Sequence, residues 1–355
     1  LATALFTTAL SLATVWLLRR PLRGAPPTDR WLHAMAPLCF LPLAFLPNWL
    51  GRLVPASVAA NALFYVPALV LSAVVYRLVG TLAARCSPRP IGRRDVMAIV
   101  VGVAMVYTLV GWHFSTAAGE HAGDEGHYLM QMRSLYEDGD LDLRNNLGFP
   151  PDSERAWHHI SPASRSGHWY SLHPFGLSLL LAPFTRAGLL VRHLILGLIA
   201  GLACGGTLYL CALFGASRLA GWLLTGLLAL STFWGVYSSR ALPEVLGATL
   251  TVWLVAAALM QARHPWRSVV LAAICAGYLP WVQTRFVPVS LLGAALYAIE
   301  GLRRANRTAA SILRVTVLGL LCAAAYGLYF GVQNRMFTGG NPACSNRSVR
   351  SSARA

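Results

Sequence analysis

Asp124 and Glu125 stand side by side between Gly123 and Gly126, at the head of the stretch GDEGHYLMQMRSLYEDGDLDLRNN. Around them gather 9 of the 13 acidic residues and 7 of the 10 histidines, all between Trp112 and Pro174. Carboxylates and imidazoles are side chains that take and give protons, so any chemistry the chain performs belongs in this stretch. From Asp124 onward the segment reads as a short helix with Tyr128, Leu129, Met132, Leu135 and Tyr136 along one apolar side, stopping at Asp138-Gly139. An acid at a helix start is ordinarily an N-cap. Asp124 therefore carries two readings, cap and reactive carboxylate.

Two metal readings of the same stretch fail on spacing. Asp138, Asp140 and Asp142 alternate as in an EF-hand calcium loop, but the glycine stands second where the sixth place is required. Phe149 occupies the twelfth place, where a bidentate Glu is needed. His158 and His159 are adjacent and His168 and His173 are five apart, with no carboxylate or His/Cys pair at helix spacing to complete a zinc site. The seven cysteines include no CxxC, and Cys39, Cys204, Cys211, Cys275 and Cys322 lie inside apolar runs, where they read as small core residues. The sequence names no cofactor and leaves a divalent-metal requirement open.

The elements that must position these residues are membrane helices. A chain with 56% hydrophobic and 12% charged residues falls far from the roughly 25% charge of soluble domains. All 29 basic residues are arginine, and the net charge of +16 sits in short clusters between apolar runs, as in cytoplasmic loops of membrane proteins and unlike a nucleic-acid-binding surface. Spans of about 20 residues are expected at Leu1–Leu18, Trp31–Leu50, Ala56–Val79, Val96–Trp112, Val191–Phe214, Leu219–Tyr237, Pro243–Met260 and Thr308–Val332. Between the last two, the segment from Ser268 to Glu300 is interrupted at Gly277 and Pro280–Arg285, which predicts a hairpin of two halves of about 14 residues each, near 21 Å. The Ser/Arg-rich segment Met336–Ala355 lacks apolar periodicity and is expected to be disordered.

Charge parity orients the array. Arg85, Arg89, Arg93 and Arg94 place the loop before Val96 in the cytoplasm, so the acidic stretch falls outside. If Pro174–Leu190 crossed, the basic loops Gln261–Arg267 and Gly301–Arg307 would also fall outside, so this segment is expected to lie at the interface or re-enter. The turn Ser238–Glu244 and the tip at Gln283 and Arg285 then share a side with Asp124 and Glu125. The expectation is an all-α polytopic membrane protein of about ten spans, with N-terminal helices 1–95, a core 96–335 carrying an extracytoplasmic loop 113–173 with short helices, and a tail 336–355.

HYLMQMRSLYEDGDLDL followed by HPFGLSLLLAPF, then YSSRALPEVLGA and GYLPWVQTRFVPVSLL, resemble the membrane-embedded GT-C glycosyltransferases, nearest the bacterial protein O-mannosyltransferase-like and aminoarabinose transferase-like members. The resemblance covers roughly Val96 to Val332. It implies transfer of a sugar from a polyprenyl-phosphate donor to a lipid, glycan or protein acceptor on the outer face of a bacterial plasma membrane, with Asp124 as general base and Glu125 beside it. Arg240 and Arg285 become candidates for the lipid phosphate, since arginine at membrane depth needs a partner; a structural pair with Glu244 is the competing reading. His173 is a candidate for hydrogen bonding the donor or acceptor, or an interfacial structural histidine. Relative to the family, the three spans before Val96 are additional, and the end soon after Asn334 implies a truncated C-terminus.

Two other classes of function fit parts of the pattern. A transporter or lipid flippase would use Glu244 and Arg285 to line a path, although the broken segment near Pro280 has no visible counterpart of the kind inverted repeats produce. A membrane assembly protein would use the polar loop to dock a partner.

Overall fold

The computed structural model describes residues 90–118, 124–146, 160–162, 168–304 and 309–338. The spans expected at Leu1–Leu18, Trp31–Leu50 and Ala56–Val79, the His158-His159 pair, and the tail beyond Thr338 lie outside the described residues. Ten α-helices and one short hairpin are present among those described. In chain order the helices are α1 (Arg93–Ala118), α2 (Glu125–Glu137), α3 (Gly176–Leu181), α4 (Leu189–Leu213), α5 (Arg218–Ala229), α6 (Thr232–Ser238), α7 (Pro243–Met260), α8 (Pro265–Val282), α9 (Val287–Arg304) and α10 (Ala309–Thr338). Strands β1 (Ile160–Pro162) and β2 (Trp169–Ser171) pair antiparallel, with Ile160 opposite Ser171.

Five helical segments are long and apolar enough to cross a membrane: Arg93–Thr116, Leu189–Leu213, Pro243–Met260, Thr284–Arg303 and Ala309–Phe337. Their outward sides carry Met105, Leu292, Leu320 and Leu328, each at least 60% exposed. Such continuous apolar exposure is what hydrocarbon contact accommodates and water does not. The chain is a membrane protein.

The chain divides into two compact units, one of Leu1–Met97 with Thr207–Phe233 and the other of Ala98–Gly206 with Trp234–Ala355. Within the first, Asp95 at the start of α1 ties to Arg218 and Trp222 of α5. Within the second, α7, α8, α9 and α10 close on a core that includes Leu254, Ala257, Ala272, Ala276, Tyr297 and Leu318. Alanine at the contact points lets helix backbones approach closely, the usual solution where lipid removes the hydrophobic drive between helices. The pair α1 and α4 uses the same device more severely. Gly197 and Gly201, four apart on α4, lie so close to the carbonyls of Ala104 and Val100 that a methyl group would collide.

Three expectations are corrected. Leu219–Tyr237 is not one span: α5 ends at Ala229 and α6 begins at Thr232, because Ser231 donates its hydroxyl to the Leu228 carbonyl and bends the chain. The halves of Ser268–Glu300 are not 14 residues long, since α8 and α9 have 18 each. Pro280 lies inside α8; the Ala276 carbonyl its missing N–H would have bonded accepts from Ser290 Oγ of α9 at 2.6 Å, a substitution that membrane helices permit. Finally, α1 continues to Ala118, so the beginning of the polar stretch is helical. Pro174–Leu190 forms the six-residue α3 and a 3₁₀ turn, Ala182–Ala187. Together they rise only about 21 Å, short of the roughly 30 Å of a hydrocarbon core.

Candidate functional site

Helix α2 is the scaffold of the acidic corner. It ends as its sequence requires: the amides of Asp138 and Gly139 both bond the Ser134 carbonyl, and Gly139 takes φ 75°, a left-handed stop that glycine adopts without strain. At the other end, Asp124 occupies the N-cap position but makes no side-chain capping bond. Its backbone is the reason. At φ −71°, ψ −11° it is already helical, whereas a capping side chain folds back from an extended backbone. The carboxylate stays 56% exposed, with Oδ1 3.9 Å from His173 Nε2.

Glu125, one residue on, has the opposite environment. It is buried, its Oε1 accepts the Ala241 amide at 2.8 Å, and its Oε2 accepts from Arg240 Nη1 at 3.1 Å. The acid therefore fastens the α6–α7 turn to the start of α2. Arg240 has Glu125 as its acidic partner, where the sequence suggested Glu244; Glu244 instead pairs with Arg285. Glu244 lies in the first turn of α7, and Arg285 in the 3₁₀ turn Thr284–Phe286 that joins α8 to α9. The Arg285 guanidinium also stands 5.6 Å from the Phe286 ring centre and remains 56% exposed, leaving N–H donors accessible.

His173 is held by its backbone and flanked by rings. Gln131 Nε2 donates to its carbonyl at 2.8 Å and its amide donates to Ser171 Oγ at 3.1 Å. Its ring lies 4.8 Å from that of His127, and its Nδ1 is 3.5 Å from the Tyr128 hydroxyl. Ser178 of α3 lies 2.9 Å from both the Tyr128 carbonyl and Gln131 Oε1, locking α3 onto α2. Burial raises the Tyr128 phenol well above its ordinary value; the Glu244 and Asp124 carboxylates push the same way, while Arg285 and a bond with Gln283 oppose them. The phenol is thus neutral throughout the physiological range. The Asp124, Glu244 and Arg285 charges that act on Tyr128 act on Tyr237 as well.

The structure therefore brings together all six residues singled out in the sequence, through the contacts Asp124–His173, Glu125–Arg240 and Glu244–Arg285. Sequence reasoning missed His127, Gln131, Tyr237 and Gln283, and placed Tyr128 only on an apolar side. His127, Tyr128 and Gln131 were within reach of pattern: with Asp124 they recur at helical spacing, at positions 124, 127, 128 and 131. Tyr237 and Gln283 carried no such signal.

Asp138, Asp140 and Asp142 serve the loop. Asp138 Oδ2 accepts from Asn146 Nδ2, and Asp140 Oδ1 from the Asp142 amide, each at 2.9 Å. Asp142 accepts the Trp169 amide at 2.8 Å on one oxygen and meets His168 Nδ1 at 2.7 Å on the other. Among the described residues no group of three or more His, Cys, Asp or Glu side chains is placed to hold a metal ion. The cysteines described, Cys204, Cys211, Cys275 and Cys322, are buried and unbridged.

The chain matches no family model, no curated protein and no solved structure.

Proposed function

We propose that this protein is a membrane-embedded glycosyltransferase of the GT-C kind, moving a sugar from a polyprenyl-phosphate donor to a lipid, glycan or protein acceptor on the outer face of a bacterial plasma membrane. The observation that carries the proposal is the state of Asp124: a carboxylate at a helix start that is not spent on capping, stays exposed, and shares its surroundings with an exposed arginine. Transfer needs such a pair. The acceptor hydroxyl oxygen attacks the anomeric carbon and gives its proton to the Asp124 carboxylate. The bond from that carbon to the phosphate oxygen breaks, and its electron pair leaves on the polyprenyl phosphate. Arg285 offers N–H donors to the charge that develops there.

The other residues take supporting roles. Glu125 and Arg240, bound to each other, position the start of α2 against the α6–α7 turn. Glu244 orients Arg285. His173, fixed by Gln131 and Ser171, stands beside the base, where it can hydrogen-bond donor or acceptor. Tyr128 contributes a neutral hydroxyl.

The test is transfer of radiolabelled sugar from a polyprenyl-phosphate donor in membranes containing the full chain. Asp124→Asn should lower transfer by about 10² to 10⁴-fold, the usual worth of a general base, without loss of folded protein. Transfer that persisted in the Asp124→Asn membranes would remove the proposed base. The ion pair of Glu244 and Arg285 at helix ends also suits a transporter or flippase path; substrate flux in proteoliposomes with no donor turnover would favour that reading.

A further inference from the structure

The unit formed by Leu1–Met97 and Thr207–Phe233 has an open cleft of about 400 Å³ lined by Pro90, Gly92, Arg93, Arg94, Asp95 and Arg218. Its charges are unbalanced. Asp95 is buried, and both its oxygens are occupied: Oδ1 accepts from Arg218 Nε at 2.8 Å and from Trp222 Nε1 at 3.1 Å, and Oδ2 accepts the Gly92 amide at 2.9 Å. Arg218 is thereby neutralised and the start of α1 is already capped. Arg93 and Arg94 are exposed, and neither has an acidic partner among the described residues. Three arginines against one carboxylate leave two positive charges on the wall of the cleft.

Place decides what could balance them. Arg93 and Arg94 are the first two residues of the apolar segment Arg93–Thr116, which is long enough to cross a membrane. Charged residues at that point of a span lie at headgroup level. Guanidinium groups are planar donors suited to phosphate oxygens, and the cleft is open to a ligand from outside. We propose that this cleft binds the phosphate of an anionic phospholipid headgroup, with Arg93 and Arg94 donating to it and the Asp95–Arg218 pair forming the rigid floor.

The experiment is native mass spectrometry of the full chain in neutral detergent, titrated separately with phosphatidylglycerol, phosphatidylcholine and inorganic phosphate. Phosphatidylglycerol should be retained in preference to phosphatidylcholine, and retention should weaken as salt is raised. The double variant R93Q/R94Q should bind phosphatidylglycerol about ten- to thirtyfold more weakly. The double variant R263Q/R267Q, which removes the same charge from exposed positions elsewhere, should bind as the unaltered chain does. Equal loss in both double variants, equal retention of the two lipids, or salt-independent retention would each overturn the proposal. Inorganic phosphate bound as tightly as phosphatidylglycerol would overturn the lipid assignment.

Discussion

At the start of α2 the backbone turns Glu125 inward to Ala241 and Arg240 and leaves Asp124 in solvent, so the same carboxylate-to-amide change has two different costs. Glu125→Gln removes the charge that Arg240 faces while the guanidinium stays largely buried. Breaking such a pair from one side costs about 3–5 kcal/mol, and thermal unfolding in detergent should show it as a marked drop in melting temperature. Asp124→Asn breaks no side-chain hydrogen bond among the described residues and should leave that temperature nearly unchanged while transfer falls. Equal melting temperatures for the two variants would contradict the division of roles. The sequence displays both acids as neighbours and offers no means of separating them. Their difference comes from a partner 115 residues away, and helical periodicity carries no information over such a distance. What periodicity does carry is the face shared by Asp124, His127, Tyr128 and Gln131.

The elements show where local rules yield to neighbours. Pro280 reads as a helix break because proline removes a backbone donor, yet α8 runs through it. The compensation comes from Ser290, whose hydroxyl donates to the freed Ala276 carbonyl and accepts from the Tyr326 hydroxyl. Ser290→Ala should therefore destabilise by about 1–3 kcal/mol, the cost of a buried unsatisfied acceptor, measurable as an earlier unfolding transition. The polar loop behaves differently, being held by charge. Burial alone would raise the Asp142 carboxyl, but the Trp169 amide, His168 and the Arg144 amide outweigh it, and the net effect is a lowered value. A group with a depressed folded value stabilises above its unfolded value and loses that contribution as pH falls through the folded one. Stability of the loop should thus decline as pH drops below about 4, and Asp142→Asn should flatten that decline in melting curves taken across the acid range. The boundaries of α4 and α7 were legible because long apolar runs with clear ends leave few choices. The α5–α6 bend and the hairpin β1–β2 were not, since they depend on one serine hydroxyl and a three-residue pairing.

For the molecule as a whole, the solvent is the governing variable. Side chains such as Leu292, 71% exposed at the middle of the segment Thr284–Arg303, are sensible only against lipid. Leu292→Arg should cost about 2.5–3.5 kcal/mol at such a depth, visible as reduced membrane insertion, whereas Arg263→Leu in the connection before α8 should insert normally. The apolar composition alone was enough to reveal this level of organisation, because hydropathy sums over many residues and survives errors at any one. The Glu125 fastening has a further meaning when the chain is considered in time. The acid leaves the ribosome 115 residues before Arg240, and at about 5–20 residues per second it waits roughly 6–23 s for its cation. During that interval α2 cannot take up its final, buried seat. The corner that carries the proposed base is therefore assembled only after α4, α5 and α6 have been made, and a pause in synthesis before Arg240 would leave the chain inserted but without its acidic corner in place.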